Sequence, residues 1–158
     1  MYKDIFDKFP VLHDLTTEQR GQLRPLFVPC DCYSGTRLFD QGDPAEYLFL
    51  VISGEVVIRY KPEDGPEITV SRVRPGGIVG WSAALGSRSY TSGAECTVYT
   101  QMLRVAGEDL RDLCREHPDT GVLILERLAT VIAERLRNTH EHVIELLKQG
   151  LLSSVHDV

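Results

Sequence analysis

From residue 27 onward the apolar positions come in short, closely spaced runs rather than at helical spacing. Leu48-Phe49-Leu50-Val51-Ile52 and Val56-Val57-Ile58 lie on either side of Ser53-Gly54-Glu55, and their β-branched and aromatic content predicts two strands joined as a hairpin. Asp64-Gly65, flanked by Pro62 and Pro66, is a turn signal, and 67–73 reads as the returning strand. Arg74-Pro75-Gly76-Gly77 is a further turn, and 97–105 reads as a last strand pair or one long strand. Ahead of these, Thr16 and Gln19 form a capping box that opens a short helix, which Pro25 ends. After Ala106 the period becomes helical. One helix over Gly107–Glu116 stops at His117-Pro118, and a long one runs from about 119 to 149, with Gly150 as its stop and 151–158 as a tail. Many short strands with glycine turns, bracketed by helices, predict a mainly β chain folded as a small barrel or jelly roll. The expected organisation is one domain over 1–150: helices at 5–26, a barrel at 27–105 and helices at 107–149.

The long helix carries two apolar stripes. Ile124, Leu128 and Val131 suit packing on the chain's own barrel. Val122, Leu125, Ala129, Ile132, Leu136, Thr139, Val143 and Leu146 are spaced alternately by three and four, a heptad seam. A seam can pack inside a monomer. At about 1.5 Å per residue, however, this helix is about 45 Å long and outreaches a small barrel. A parallel homodimer is therefore expected.

Composition narrows the classes. The net charge of −6 argues against a broad nucleic-acid surface, so no direct nucleic-acid partner is expected. No apolar run approaches membrane-spanning length and the first residues lack a signal-peptide core, which predicts a cytoplasmic protein without a membrane partner. Four cysteines in a chain of 158 residues read as ordinary reduced thiols, with Cys30 and Cys32 on one face of a strand. His140 and His142 flank Glu141, but residues two apart do not share a helix face, and no metal site is expected. Gly80-x-Ser82-x-Ala84 only approximates a nucleophile turn, and neither a P-loop nor an H-E-x-x-H helix is present, so the chain does not read as an enzyme.

The stretch richest in ligand chemistry starts at Gly76-Gly77 and continues through Gly80-Trp81-Ser82-Ala83-Ala84-Leu85-Gly86-Ser87-Arg88-Ser89-Tyr90-Thr91. Glycines allow close backbone approach, a short small-residue helix is expected after Gly80, and its first N–H groups can face an anion. Arg88 supplies a permanent cation and Thr91 a hydroxyl, so a single phosphate fits this set.

This run resembles the phosphate-binding cassette of cyclic-nucleotide-binding domains, roughly F-G-E-x-A-L followed by R-x-A-T/S. Gly80, Ala83, Leu85, Arg88 and Thr91 fall on its positions, while Trp81 replaces the glutamate and Tyr90 a small residue. The resemblance extends over about 5–150, through Phe9-Pro10-x-Leu12, Ser34-Gly35-Thr36 and Gln41-Gly42-Asp43. It implies a β jelly-roll barrel (a double-stranded β-helix) with a C-terminal dimerisation helix, as in the sensory half of Crp/Fnr-type regulators. It also implies cyclic AMP or cyclic GMP as ligand, held by Gly80, Trp81, Ser82, Ala83, Arg88, Ser89, Tyr90 and Thr91. In the catabolite-activator branch a Thr-Ser pair on the long helix meets the purine, which here implies Thr139 and His140. The family's glutamate accepts the ribose hydroxyl; an indole accepts no hydrogen bond, so Trp81 leaves that contact in question. Trp81 either stacks on a base or fills the sugar pocket. Three readings stay open: a cyclic nucleotide, another phosphate-bearing small-molecule anion, or no ligand, with Trp81 and Tyr90 filling the pocket of a dimeric interaction module. Crp/Fnr regulators continue into a helix-turn-helix, whereas only eight residues follow Gly150 here, so either output is expected to pass through a downstream protein partner or the sequence is a piece of a longer regulator.

Overall fold

The computed structural model describes residues 5–156; the side chains of Thr139, His142, Val143 and Leu146, and those beyond Gln149, lie outside that description. Two single-turn 3-10 helices (Ile5–Lys8 and Pro10–Leu12) lead into α1 (Thr17–Leu23). Thr16 and Gln19 form the expected reciprocal capping box, and a 3-10 turn containing Pro25 ends the element. Eight strands follow: β1 (Phe27–Cys32), β2 (Arg37–Phe39), β3 (Tyr47–Ser53), β4 (Val56–Tyr60), β5 (Ile68–Val73), β6 (Ile78–Val79), β7 (Gly93–Cys96) and β8 (Thr100–Ala106). They form two antiparallel four-stranded sheets, ordered β1-β8-β3-β6 and β2-β7-β4-β5. The chain closes with α2 (Gly107–Glu116) and α3 (Pro118–His156). This is the predicted jelly roll with flanking helices.

The unbroken apolar run of β3 has a simple cause: both of its faces are covered. Phe49 and Val51 point between the sheets, where they join Cys32, Phe39, Val56, Val79, Tyr90, Cys96 and Met102. Leu48 and Leu50 point the other way, into a helical layer built from Phe6, Phe9, Leu23, Leu110, Leu113, Ile124 and Leu128. Burial holds the Cys32 thiol up at about 12, with Cys96 and Cys30 beside it adding to the rise. Burial likewise raises Cys96. These thiols therefore stay protonated at neutral pH and pack as small apolar groups.

Two expectations change here. The runs on either side of Ser53-Gly54-Glu55 are not a hairpin, because β3 pairs with β8 and β6 whereas β4 pairs with β5 and β7. The chain steps from one sheet to the other at Gly54, whose φ of +97° and close approach to Thr100 (2.5 Å from a Cβ position to Oγ1) leave no room for a side chain. The long helix also continues to His156, past Gly150 and through most of the expected tail. Glycine weakens a helix interior by only about 1 kcal/mol, which neighbouring helical residues offset.

Candidate functional site

The site is built where β6 ends and the chain turns under α3. Gly80 has φ +80°, and a Cβ there would lie 2.7 Å from the Tyr47 carbonyl oxygen and 3.2 Å from the Tyr90 ring. Only glycine lets the turn come this close to β3. Residues 81–86 then form consecutive turns and not the expected short helix. Their bonds run mostly three residues back: Ala83 to Gly80 at 3.1 Å, Ala84 to Trp81 at 3.1 Å and Gly86 to Ala83 at 3.3 Å. The tight spacing lets the small residues tuck beneath α2, where Arg111 Nη1 donates to the Ala83 carbonyl at 2.5 Å. Ala83 and Ser82 are buried by this packing. The N–H groups of Trp81 and Ser82 stand at the open end of the turn, because its hydrogen bonds begin at Ala83. The turn therefore offers individual N–H groups and no helix macrodipole.

Tyr90 closes the segment. Its ring stacks on Phe39 with centroids 3.6 Å apart. Its hydroxyl donates to the Tyr47 carbonyl at 2.6 Å and accepts from the Tyr47 N–H at 3.0 Å. Burial raises its pKa, so the hydroxyl keeps its proton and the donated bond persists at neutral pH.

Gly80, Trp81, Ser82, Tyr90 and Thr91 together wall a cavity of about 120 Å³, with Val70 of β5 opposite and Arg135 and Leu136 of α3 above. Trp81 is half-buried and packs on the helical core layer, so its indole fills space. The other expected site residues lie elsewhere. Ala83 is covered by Arg111. Ser89 bridges to Pro44. Arg88 does not line the cavity: its side chain is exposed and has no hydrogen bond or ion pair among the described residues, while its carbonyl accepts from Ala45. His140 is exposed on α3, and the Thr139 side chain lies outside the described residues.

Sequence reasoning missed Arg135. It is half-buried and donates from Nη2 to the Ile78 carbonyl at 2.5 Å, tying α3 to the strand that feeds the cassette turn. Burial lowers its pKa, yet a guanidinium remains charged at neutral pH. No local signal marks it, since its role depends on a carbonyl 57 positions away. Among the described residues, no helix is long and apolar enough to cross a membrane.

Residues 31–117 match the cyclic nucleotide-binding domain family. The chain is 30% identical over 128 residues to the cyclic AMP receptor protein of Thermus thermophilus, covering 81% of this chain and 57% of that one. It is 28% identical over 126 residues to the CRP-like cAMP-activated global transcriptional regulator of Mycobacterium tuberculosis, covering 80% of this chain and 53% of that one. The chain therefore spans about half the length of these relatives. The fold matches the crystal structure of a cyclic nucleotide-binding domain from Methylobacillus flagellatus, with a TM-score of 0.79 at 21% identity over 89% of this chain and 79% of that one. With its jelly roll, its glycine-led cassette turn and these Crp-like relatives, the chain belongs to the cyclic nucleotide-binding domain family.

Proposed function

We propose that this domain is a regulatory sensor that binds a phosphate-bearing small molecule at the cassette turn, a cyclic nucleotide first among them, and signals through a dimer made by α3. It acts as a binding domain and not as an enzyme. The observation that carries this reading is the convergence of Gly80, Ser82, Tyr90 and Thr91 on one cavity, with the unpaired Arg88 on the same segment. The phosphate meets the free N–H groups of the turn and the Arg88 fork. Leu136 joins the seam to the cavity: it stands on the α3 seam and also lines the cavity. Ligand and dimer thus act on the same helix.

A second reading has its own support. Small-molecule sites usually enclose about 300–1,000 Å³. The cavity here encloses about 120 Å³, so a nucleotide enters only if the Trp81 indole moves aside. If the indole stays, the domain is a ligand-free dimeric module.

Calorimetry with cyclic AMP and cyclic GMP separates the two. We expect measurable binding by the parent chain and none by Arg88→Leu. Trp81→Glu places a carboxylate where the ribose hydroxyl lies and should tighten binding by about ten- to a hundred-fold, the worth of a charged hydrogen bond. Equal affinity in Arg88→Leu would place the anion elsewhere. No heat from either the parent or a well-folded Trp81→Glu would establish the ligand-free module.

A further inference from the structure

Phe39 and Tyr90 wall a second cavity besides that of the cassette, one of about 410 Å³, within the range of small-molecule sites. It lies between β1, β8 and β3 of the first sheet and β2 of the second. Phe39, Phe49 and Tyr90 are buried and give it an apolar inner wall, and the half-buried Tyr47 adds a fourth ring. Walls of this kind pack well against another aromatic group.

Arg37, Arg104, Asp43 and Glu46 also line this cavity, two charges of each sign, so it favours neither a net cation nor a net anion. Two of the four are already engaged. Arg37 pairs with Glu67 at 2.9 Å and with Asp40 at 3.1 Å. Asp43 accepts from the Asp40 N–H at 2.8 Å. Arg104 is half-buried, with its guanidinium carbon 4.6 Å from the centre of the Tyr47 ring, and it has no hydrogen bond or ion pair among the described residues. The ring contact leaves the guanidinium without an acceptor, and its planar fork matches a carboxylate. The Glu46 side chain is exposed and likewise has no hydrogen bond or ion pair among the described residues, with Arg104 or with any other. An aromatic wall thus stands between one free cation and one free anion.

We infer that this cavity is a binding site, separate from the cassette, for a small zwitterion with an aromatic body: an aromatic α-amino acid, its carboxylate on the Arg104 fork, its ammonium at Glu46 and its ring against the buried rings. The loop that carries Asp43 and Glu46 joins this site to the cassette segment. The Tyr90 N–H donates to the Asp43 carbonyl at 2.9 Å, and the Ala45 N–H donates to the Arg88 carbonyl at 3.1 Å. A ligand that holds Glu46 therefore also steadies the segment that carries Arg88.

Arg104 and Glu46 do not line the cassette cavity, so the site is tested without a cassette ligand. L-Phenylalanine, titrated calorimetrically into the full chain, should bind about ten-fold or more tightly than each of three probes, the difference that a charged hydrogen bond makes. Hydrocinnamate lacks the ammonium, phenethylamine lacks the carboxylate, and L-alanine lacks the ring. Arg104→Gln should weaken phenylalanine by about ten-fold or more and leave phenethylamine unchanged. Glu46→Gln, at an exposed position with no side-chain partner to lose, should weaken phenylalanine and leave hydrocinnamate no weaker. Parent-like phenylalanine affinity in either variant would overturn the assignment. If Arg104→Gln melts below the parent, Glu46→Gln decides the matter alone. Equal affinity for phenylalanine and hydrocinnamate would overturn recognition of a zwitterion, and no binding of phenylalanine by the parent chain would remove the site.

Discussion

At the scale of single residues, Tyr90 shows how a position that walls a pocket can also hold the pocket's frame. Its hydroxyl satisfies both the N–H and the carbonyl of Tyr47, at the point where β3 begins. Tyr90→Phe keeps the stacking on Phe39 but leaves those two part-buried backbone groups without this partner. Unsatisfied buried groups cost about 1–3 kcal/mol. In a domain of this size each kcal/mol moves the melting temperature by about 2–4 °C. Differential scanning calorimetry should therefore show a drop of several degrees for Tyr90→Phe; an unchanged melting temperature would mean that water replaces the phenol at no cost. The chain's text places an aromatic residue in the cassette here but cannot say which way it faces. Its orientation comes from Phe39, 51 positions earlier, so the ring's role is a tertiary property. Gly80 was more legible, because a glycine before a run of small residues signals a tight approach wherever it occurs.

At the scale of elements, α3 divides into a docked part and an unpartnered face. Ile124 and Leu128 are buried against the barrel, each contributing about 1.5–3 kcal/mol of apolar burial. On the seam, Val122 is 56% and Leu136 60% exposed in the single chain. Replacing both with glutamate therefore leaves the monomer's core untouched. In a dimer the same pair places like charges across a two-fold axis, where an uncompensated buried charge costs about 3–5 kcal/mol. Sedimentation equilibrium should report a dimer for the parent and a monomer for Val122→Glu/Leu136→Glu. A parent chain that stays monomeric at high micromolar concentration would remove the dimer from the mechanism. The two stripes were legible because helical period is a local property of sequence. The β3–β4 relationship was not. Ser53-Gly54-Glu55 has the length and residue types of a hairpin turn, and only strand partners far along the chain decide that the segment crosses between sheets.

At the scale of the whole molecule, the outer face of the second sheet is held by charge. Arg37 donates to Glu67 at 2.9 Å, Arg59 pairs with Glu95 at 2.9 Å, and Arg72 pairs with Glu55 at 2.9 Å. The hydrogen bond from Arg37, and then the Arg37 and Arg59 charges, hold the Glu67 carboxyl below its ordinary value of 4.5. The hydrogen bond from Thr97, followed by Arg72 and Arg74, does the same for Glu55. A carboxyl whose pKa is lower in the folded state stabilises the fold above its unfolded value, and that stability is lost as the pH falls through the folded value. The melting temperature should therefore fall as the pH drops below about 4.5. Glu67→Gln should melt lower than the parent at pH 7 and show a shallower acid loss, measured by circular dichroism across pH 7 to 3. Identical acid slopes in the two chains would show that the Arg37–Glu67 pair contributes nothing at this scale.

The sequence by itself determined the class of fold, the order of strands and helices, the glycine-led cassette turn and the two stripes of the long helix. Each follows from period, turn chemistry or backbone permissiveness within a short window. Tertiary structure decided what depends on residues meeting from far apart. It set the crossing between sheets at Gly54, and turned 81–86 into stacked turns by pressing them under Arg111. It bent Tyr90 inward onto β3, left Arg88 exposed beside the cavity instead of in its wall, and carried α3 past Gly150. It also brought Arg135 against the Ile78 carbonyl, tying α3 to the strand that feeds the cassette turn, a contact that no local stretch of the chain describes. The physical reason is that burial and charge pairing are properties of the space around a side chain, which the chain's neighbours in sequence do not specify.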